Sequence, residues 1–70
     1  MFMNKNLNQA VVGDRIIQFG EVVFDGPGAV VIAVEMGMGK PCLIKVRVAD
    51  GRHTAYPCAG FLGSKKIVVA

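Results

Sequence analysis

Apolar and polar side chains alternate most cleanly in residues 42–48 (CLIKVRV). Cys42, Ile44, Val46 and Val48 fall on one side there, and Leu43, Lys45 and Arg47 on the other. A period of two is the signature of a strand with one face on a core. Residues 15–19 (RIIQF), which follow a turn at Gly13-Asp14, and residues 21–24 (EVVF) are separated only by Gly20, so they read as one strand bent or bulged at that glycine. Residues 29–35 (AVVIAVE) are apolar on both faces over most of their length and read as the central strand. Residues 53–56 (HTAY), stopped by Pro57, and residues 67–69 (IVV) complete a set of five.

The connections carry turn chemistry. Residues 25–28 (DGPG) combine glycines with a proline that has no N–H for a ladder. Asp50-Gly51 favours a two-residue type I′ hairpin loop, and residues 36–41 (MGMGKP) read as a glycine-rich connection. No window of a dozen residues shows the three-and-four apolar spacing of a helix. Residues 57–66 (PCAGFLGSKK) are compatible with a loop, a 3₁₀ turn or part of the last strand. Residues 4–9 (NKNLNQ) are polar, so residues 1–10 read as a flexible or partner-packing arm and residues 11–70 as one small domain.

Seventy residues hold one domain. Five short strands with tight turns predict an all-β fold: a small five-stranded barrel, or a strongly bent antiparallel sheet that covers its own apolar side. The opening Val12-Gly13-Asp14-Arg15-Ile16, then Gly20, the turn at residues 26–28 and the strand running from Gly28 into residues 30–34 resemble the SH3-like small barrels, including the KOW-type modules of ribosomal and transcription-associated proteins. The resemblance covers residues 11–57. It implies docking onto nucleic acid or protein, as an inference from fold alone.

A hydrophobic fraction of 53% is high for a 7.4 kDa chain. So small a domain hides a modest share of its surface, so part of that apolar content is expected against a second copy or another protein. Val30, Ile32, Met36, Met38 and Leu43 are the candidate contact residues, and Phe2 and Met3 are also placed to pack on a neighbour. Phe19, Phe24 and Phe61 read as core.

Charge is uneven. Residues 1–35 carry two basic and four acidic side chains, and residues 36–70 carry six basic side chains against Asp50 alone. Lys45 and Arg47 share a strand face, and the Asp50-Gly51 turn brings Arg52 and His53 back beside them. With Tyr56 as a stacking ring, this basic hairpin is the candidate site for RNA or DNA phosphates. Solvated charge on an outer sheet face is the ordinary alternative.

Enzyme chemistry finds little footing. In residues 36–40 (MGMGK), Val34 and Pro41 stand where a phosphate loop needs glycine and a hydroxyl. Cys42, His53 and Cys58 lack the paired spacing of structural zinc sites, and Cys42 falls on the apolar strand face. A Cys58–His53 nucleophilic pair has no fixed orienting group. No metal or cofactor is therefore expected, and catalysis would require a composite site in an oligomer. Two cysteines make no disulfide framework, and no apolar run reaches membrane-spanning length, so a cytoplasmic protein is expected. The reading is a non-enzymatic protein-interaction or assembly module, expected to associate with its own copies or another protein, with nucleic-acid binding through the basic hairpin of residues 45–53 as the alternative.

Overall fold

A computed structural model describes residues 2–70 and shows a single antiparallel sheet of seven strands, with no α-helix among them. The strands are β1 (Met3–Asn6), β2 (Arg15–Phe19), β3 (Val22–Val23), β4 (Ala29–Gly37), β5 (Lys40–Arg47), β6 (His53–Pro57) and β7 (Lys66–Val69). Their order is β1-β7-β2-β4-β5-β6, and β3 lies against β2. Two 3₁₀ turns, Leu7–Gln9 and Gly60–Ser64, fill the remaining connections. The all-β antiparallel expectation is met. The sheet has seven strands where the pattern predicts five, and it does not close into a barrel.

The two ends of the strand path, β1 and β6, make no backbone pairing with each other. Curvature instead brings side chains together across the interior: the Phe19 ring of β2 stacks on Tyr56 of β6, with centroids 4.7 Å apart and planes at 27°. Beneath this pair lies a core whose fully buried members are Leu7, Ile16, Val31, Ile44, Val46 and Ile67. Phe19, Phe24, Val34 and Val48 pack against it.

Four local readings of the sequence are corrected. Residues 21–24 do not prolong β2. The chain reverses at Gly20-Glu21, pairing Phe19 with Val22 and Gln18 with Val23. Residues 36–41 are not a loose connection, because β4 and β5 run on until Gly37 opposes Lys40, leaving Met38-Gly39 as a two-residue turn. Pro57 belongs to β6. That strand is a sheet edge, where a residue without an N–H breaks no ladder. Residues 3–6, read as part of an arm, pair with β7 from Met3 opposite Val69 to Asn6 opposite Lys66.

The double-faced apolar run of β4 has a structural cause. A register shift between Val31 and Ala33 changes the phase of alternation, so Ala29 and Val31 face the core before it and Val34 packs against the core after it. At the start of β4, Gly28 has φ +77°, and a Cβ there would lie 2.3 Å from the Ile16 carbonyl oxygen. Only glycine lets β2 and β4 approach at that point. No helix among the described residues is long and apolar enough to cross a membrane.

Candidate interaction surface and the sulfur-lined trough

The basic set divides when placed on the sheet. Arg47 of β5 lies opposite His53 of β6, and Lys45 lies opposite Ala55, so Lys45, Arg47 and His53 share the outer face. Lys45 Nζ is 2.6 Å from Glu35 Oε2, an exposed ion pair that cancels its charge locally. Arg52 sits in the turn, where its Nε donates to Asp50 Oδ2 at 2.5 Å and its backbone N–H to Asp50 Oδ1 at 2.9 Å. The backbone bond from Arg52 is the main reason the Asp50 carboxyl is held below its ordinary range, with the guanidinium adding to it. Tyr56 lies opposite Ile44, on the inner side of the sheet, and burial raises its phenol above the usual value. The ring is stacked on Phe19 and stands on the opposite face from Lys45, Arg47 and His53.

The apolar contact set also divides. Val30, Ile32 and Leu43 are half-buried along β4 and β5. Ile32 lines a shallow depression with Lys45, His53, Thr54 and Ala55. Met36 and Met38 are exposed at the far end of the hairpin, where β4 and β5 have only each other as strand partners. Met38 is fully exposed and has φ 51°, the only non-glycine residue with positive φ among those described. The left-handed region suits Asn or Gly in a two-residue hairpin turn, and a long side chain is disfavoured there.

Some exposed apolar residues escaped the reading of the sequence. Val22 and Val23 are both largely exposed because β3 is a two-residue strand at the margin of the sheet. Val11 and Val12 are exposed in the turn before β2. Phe61, read as core, is exposed instead. It lies in the second 3₁₀ turn, whose buried residue is Gly63. Phe2 and Met3, which the sequence did single out, are exposed too.

Beside the hairpin runs a trough of about 690 Å³, bounded by Asn8, Met38, Lys40, Cys42, Cys58 and Gly60. Both cysteines are free thiols. The β5–β6 register pairs Leu43 with Pro57, and the Cys58 N–H continues it by donating to the Cys42 carbonyl at 3.1 Å. Cys42 Sγ lies 3.3 Å from the Glu35 carbonyl oxygen, in space left by Gly37, where a Cβ would come within 3.3 Å of the sulfur. Cys58 is buried, and burial is the first cause of its raised thiol pKa, the nearby Cys42 the second. The gap of sixteen residues gave no sequence signal for this pairing, which depends on the hairpin register. Among the described residues, no group of three or more His, Cys, Asp or Glu side chains is placed to hold a metal ion.

Comparison with family models, curated proteins and solved structures finds no match to the chain.

Proposed function

We propose that this chain is a non-enzymatic assembly module that associates with copies of itself through the methionine tip of the β4–β5 hairpin. The observation that carries the reading is Met38, a large apolar side chain held fully in solvent at a backbone angle that disfavours it. A turn selected for folding alone would place Asn or Gly there. Backbone cost retained at an exposed position points to use of that side chain. Methionine is also a fitting anchor, because its flexible, polarisable thioether adapts to an apolar partner surface.

The surface as a whole agrees. The accessible area is 4556 Å², against about 4200 Å² for a compact monomer of this mass. Among the described residues, nine large apolar side chains contribute to the exposed surface, Met36 and Met38 among them. A two-fold arrangement would put the same tip on both partners, the commonest form of self-association. The basic face is a weaker basis for function, since Glu35 and Asp50 occupy Lys45 and Arg52 and Tyr56 points inward.

Sedimentation velocity on the full chain at micromolar concentration tests the proposal. The wild-type protein is expected to form a dimer or larger species. Met38→Asn should shift it toward monomer while stabilising the hairpin by about 1 kcal/mol through relief of the left-handed penalty. A wild-type monomer throughout the concentration range, or a Met38→Asn variant that assembles as well as wild type, overturns the assignment.

A further inference from the structure

The strand at one end of the sheet has its outer backbone groups free and no charged side chain to guard them. We infer that β6 is a second self-association site, pairing antiparallel with β6 of another copy about a two-fold axis through Ala55. This contact is independent of the methionine tip.

The β5–β6 ladder determines which groups are free. Val48 N–H donates to the Arg52 carbonyl at 2.9 Å, and Cys58 N–H to the Cys42 carbonyl at 3.1 Å, so hydrogen-bonded pairs stand at both ends of the register. The pairs between them run without a register shift. Hydrogen-bonded and non-hydrogen-bonded pairs alternate along an antiparallel ladder. Thr54 and Tyr56 therefore bond to β5, and His53, Ala55 and Pro57 turn their backbone groups away from it. Proline at position 57 agrees with this phase, because its missing N–H falls on the side that β5 does not use. β6 has β5 as its strand partner, and His53, Ala55 and Pro57 are all exposed.

The opposite end of the sheet is better guarded. The Leu7 N–H bond to the Lys65 carbonyl sets the outward positions of β1 at Asn4 and Asn6, and Gln9 Oε1 already takes the Asn6 N–H at 2.9 Å. Charged side chains commonly keep a second strand off an exposed edge. β6 has the sequence HTAYP, with no Lys, Arg, Asp or Glu.

The edge is complementary to itself. With Ala55 opposite the partner's Ala55, each of the two gives its N–H to the other's carbonyl. Each His53 N–H then meets the partner's Pro57 carbonyl, so proline serves as an acceptor, the one backbone role open to it. Thr54 falls opposite the partner's Tyr56, a β-branched and aromatic pair of the kind that stabilises sheets, and the side chain at the axis is small. No like charges are brought opposite one another. The partner's β6 becomes the next strand of the same sheet.

Amide exchange and sedimentation on the full chain carrying Met38→Asn test the site, because that variant removes the tip contact. A dimer is expected at high concentration. The His53 and Ala55 amides should exchange freely in the dilute monomer and slowly in the dimer, whereas those of Thr54 and Tyr56 stay protected in both. Adding Ala55→Pro should weaken dimerisation by about thirtyfold, the equivalent of two hydrogen bonds of ordinary net strength. Circular dichroism should be unchanged, since the lost N–H faces away from β5. Ala55→Lys keeps every backbone donor but sets two ammonium groups across the axis, so it should also weaken the dimer, and salt should relieve that loss. Unprotected His53 and Ala55 amides at high concentration overturn the site, as does undiminished dimerisation by folded Ala55→Pro or by Ala55→Lys. The methionine-tip reading fails separately, when Met38→Asn alone leaves wild-type assembly unchanged.

Discussion

Gly28 shows how much of this fold can rest on one missing side chain. Its φ of +77° and the 2.3 Å approach of a hypothetical Cβ to the Ile16 carbonyl oxygen act together. Gly28→Ala should therefore cost about 3 kcal/mol or more in urea unfolding, the upper end of the usual price for a strained backbone plus displacement of the β2–β4 ladder. Gly26→Ala in the same turn shares the positive φ but has no atom within 4 Å, and should cost about 1 kcal/mol. Equal losses at both positions would show that the close approach is unimportant. Two other residues govern the alkaline limit. Burial raises the Cys58 thiol above 9.0 and the Tyr56 phenol above 10.0. The unfolded chain loses these protons first, so the stability they contribute is intact below those ordinary values and is lost as pH rises through the raised ones. Urea midpoints measured from neutral to strongly alkaline pH should fall, and Tyr56→Phe should make the later part of that fall shallower. An unchanged slope in Tyr56→Phe would assign the alkaline loss elsewhere.

The elements differ in how openly the sequence announces them. β2 was legible to the residue, and β5 was recognisable because Ile44 and Val46 alternate with Lys45 and Arg47 as a half-buried strand requires. β1 was not legible. Its own side chains are polar or exposed, and its place is set by backbone pairing with β7, some sixty residues away. The anchor lies just beyond it, where Leu7 is fully buried and its N–H donates to the Lys65 carbonyl. A second tie joins β1 to the turn before β2. Lys5 Nζ lies 2.6 Å from Asp14 Oδ2, which also accepts the Val11 N–H at 3.0 Å, and both charged side chains are mostly buried. Asp14→Ala removes one carboxylate from two donors and should cost about 2 kcal/mol, within the range for hydrogen bonds to charged groups. The loss is expected to appear as faster amide exchange in β1 as well as in the global urea midpoint. Unaltered β1 exchange would mean that Leu7 alone holds the strand in place. The cross-strand placement of the two cysteines was hidden for the same reason as β1: nothing local to Cys42 or Cys58 announces it, and only the extension of the β5–β6 ladder brings Cys58 opposite Cys42.

At the scale of the whole molecule, the sequence suggests two ways of meeting a partner, and they draw on different residues of the sheet. The excess of apolar residues was evident from composition, but their distribution over the tip, β3 and the turn before β2 depends on where the sheet stops. The basic surplus of residues 36–70 is largely engaged within the chain. Lys45 meets Glu35, Arg52 meets Asp50, Lys65 lies over the Phe19 ring at 5.2 Å, and Lys66 donates to Asn6 at 2.9 Å. Arg47 is the cation left on the outer face of β5–β6 without such a partner among the described residues. Salt therefore discriminates the modes of association. Apolar docking through methionine gains from sulfate, which strengthens burial, and loses little to ionic screening. Contact with a polyanion releases counterions and weakens steeply as salt rises. Sedimentation in sodium sulfate should leave the assembled fraction of wild type unchanged or increased, and Lys45→Ala with Arg47→Ala should assemble as wild type does. Dissociation with rising salt, abolished in the double variant, would move the interface from the hairpin tip to the basic face.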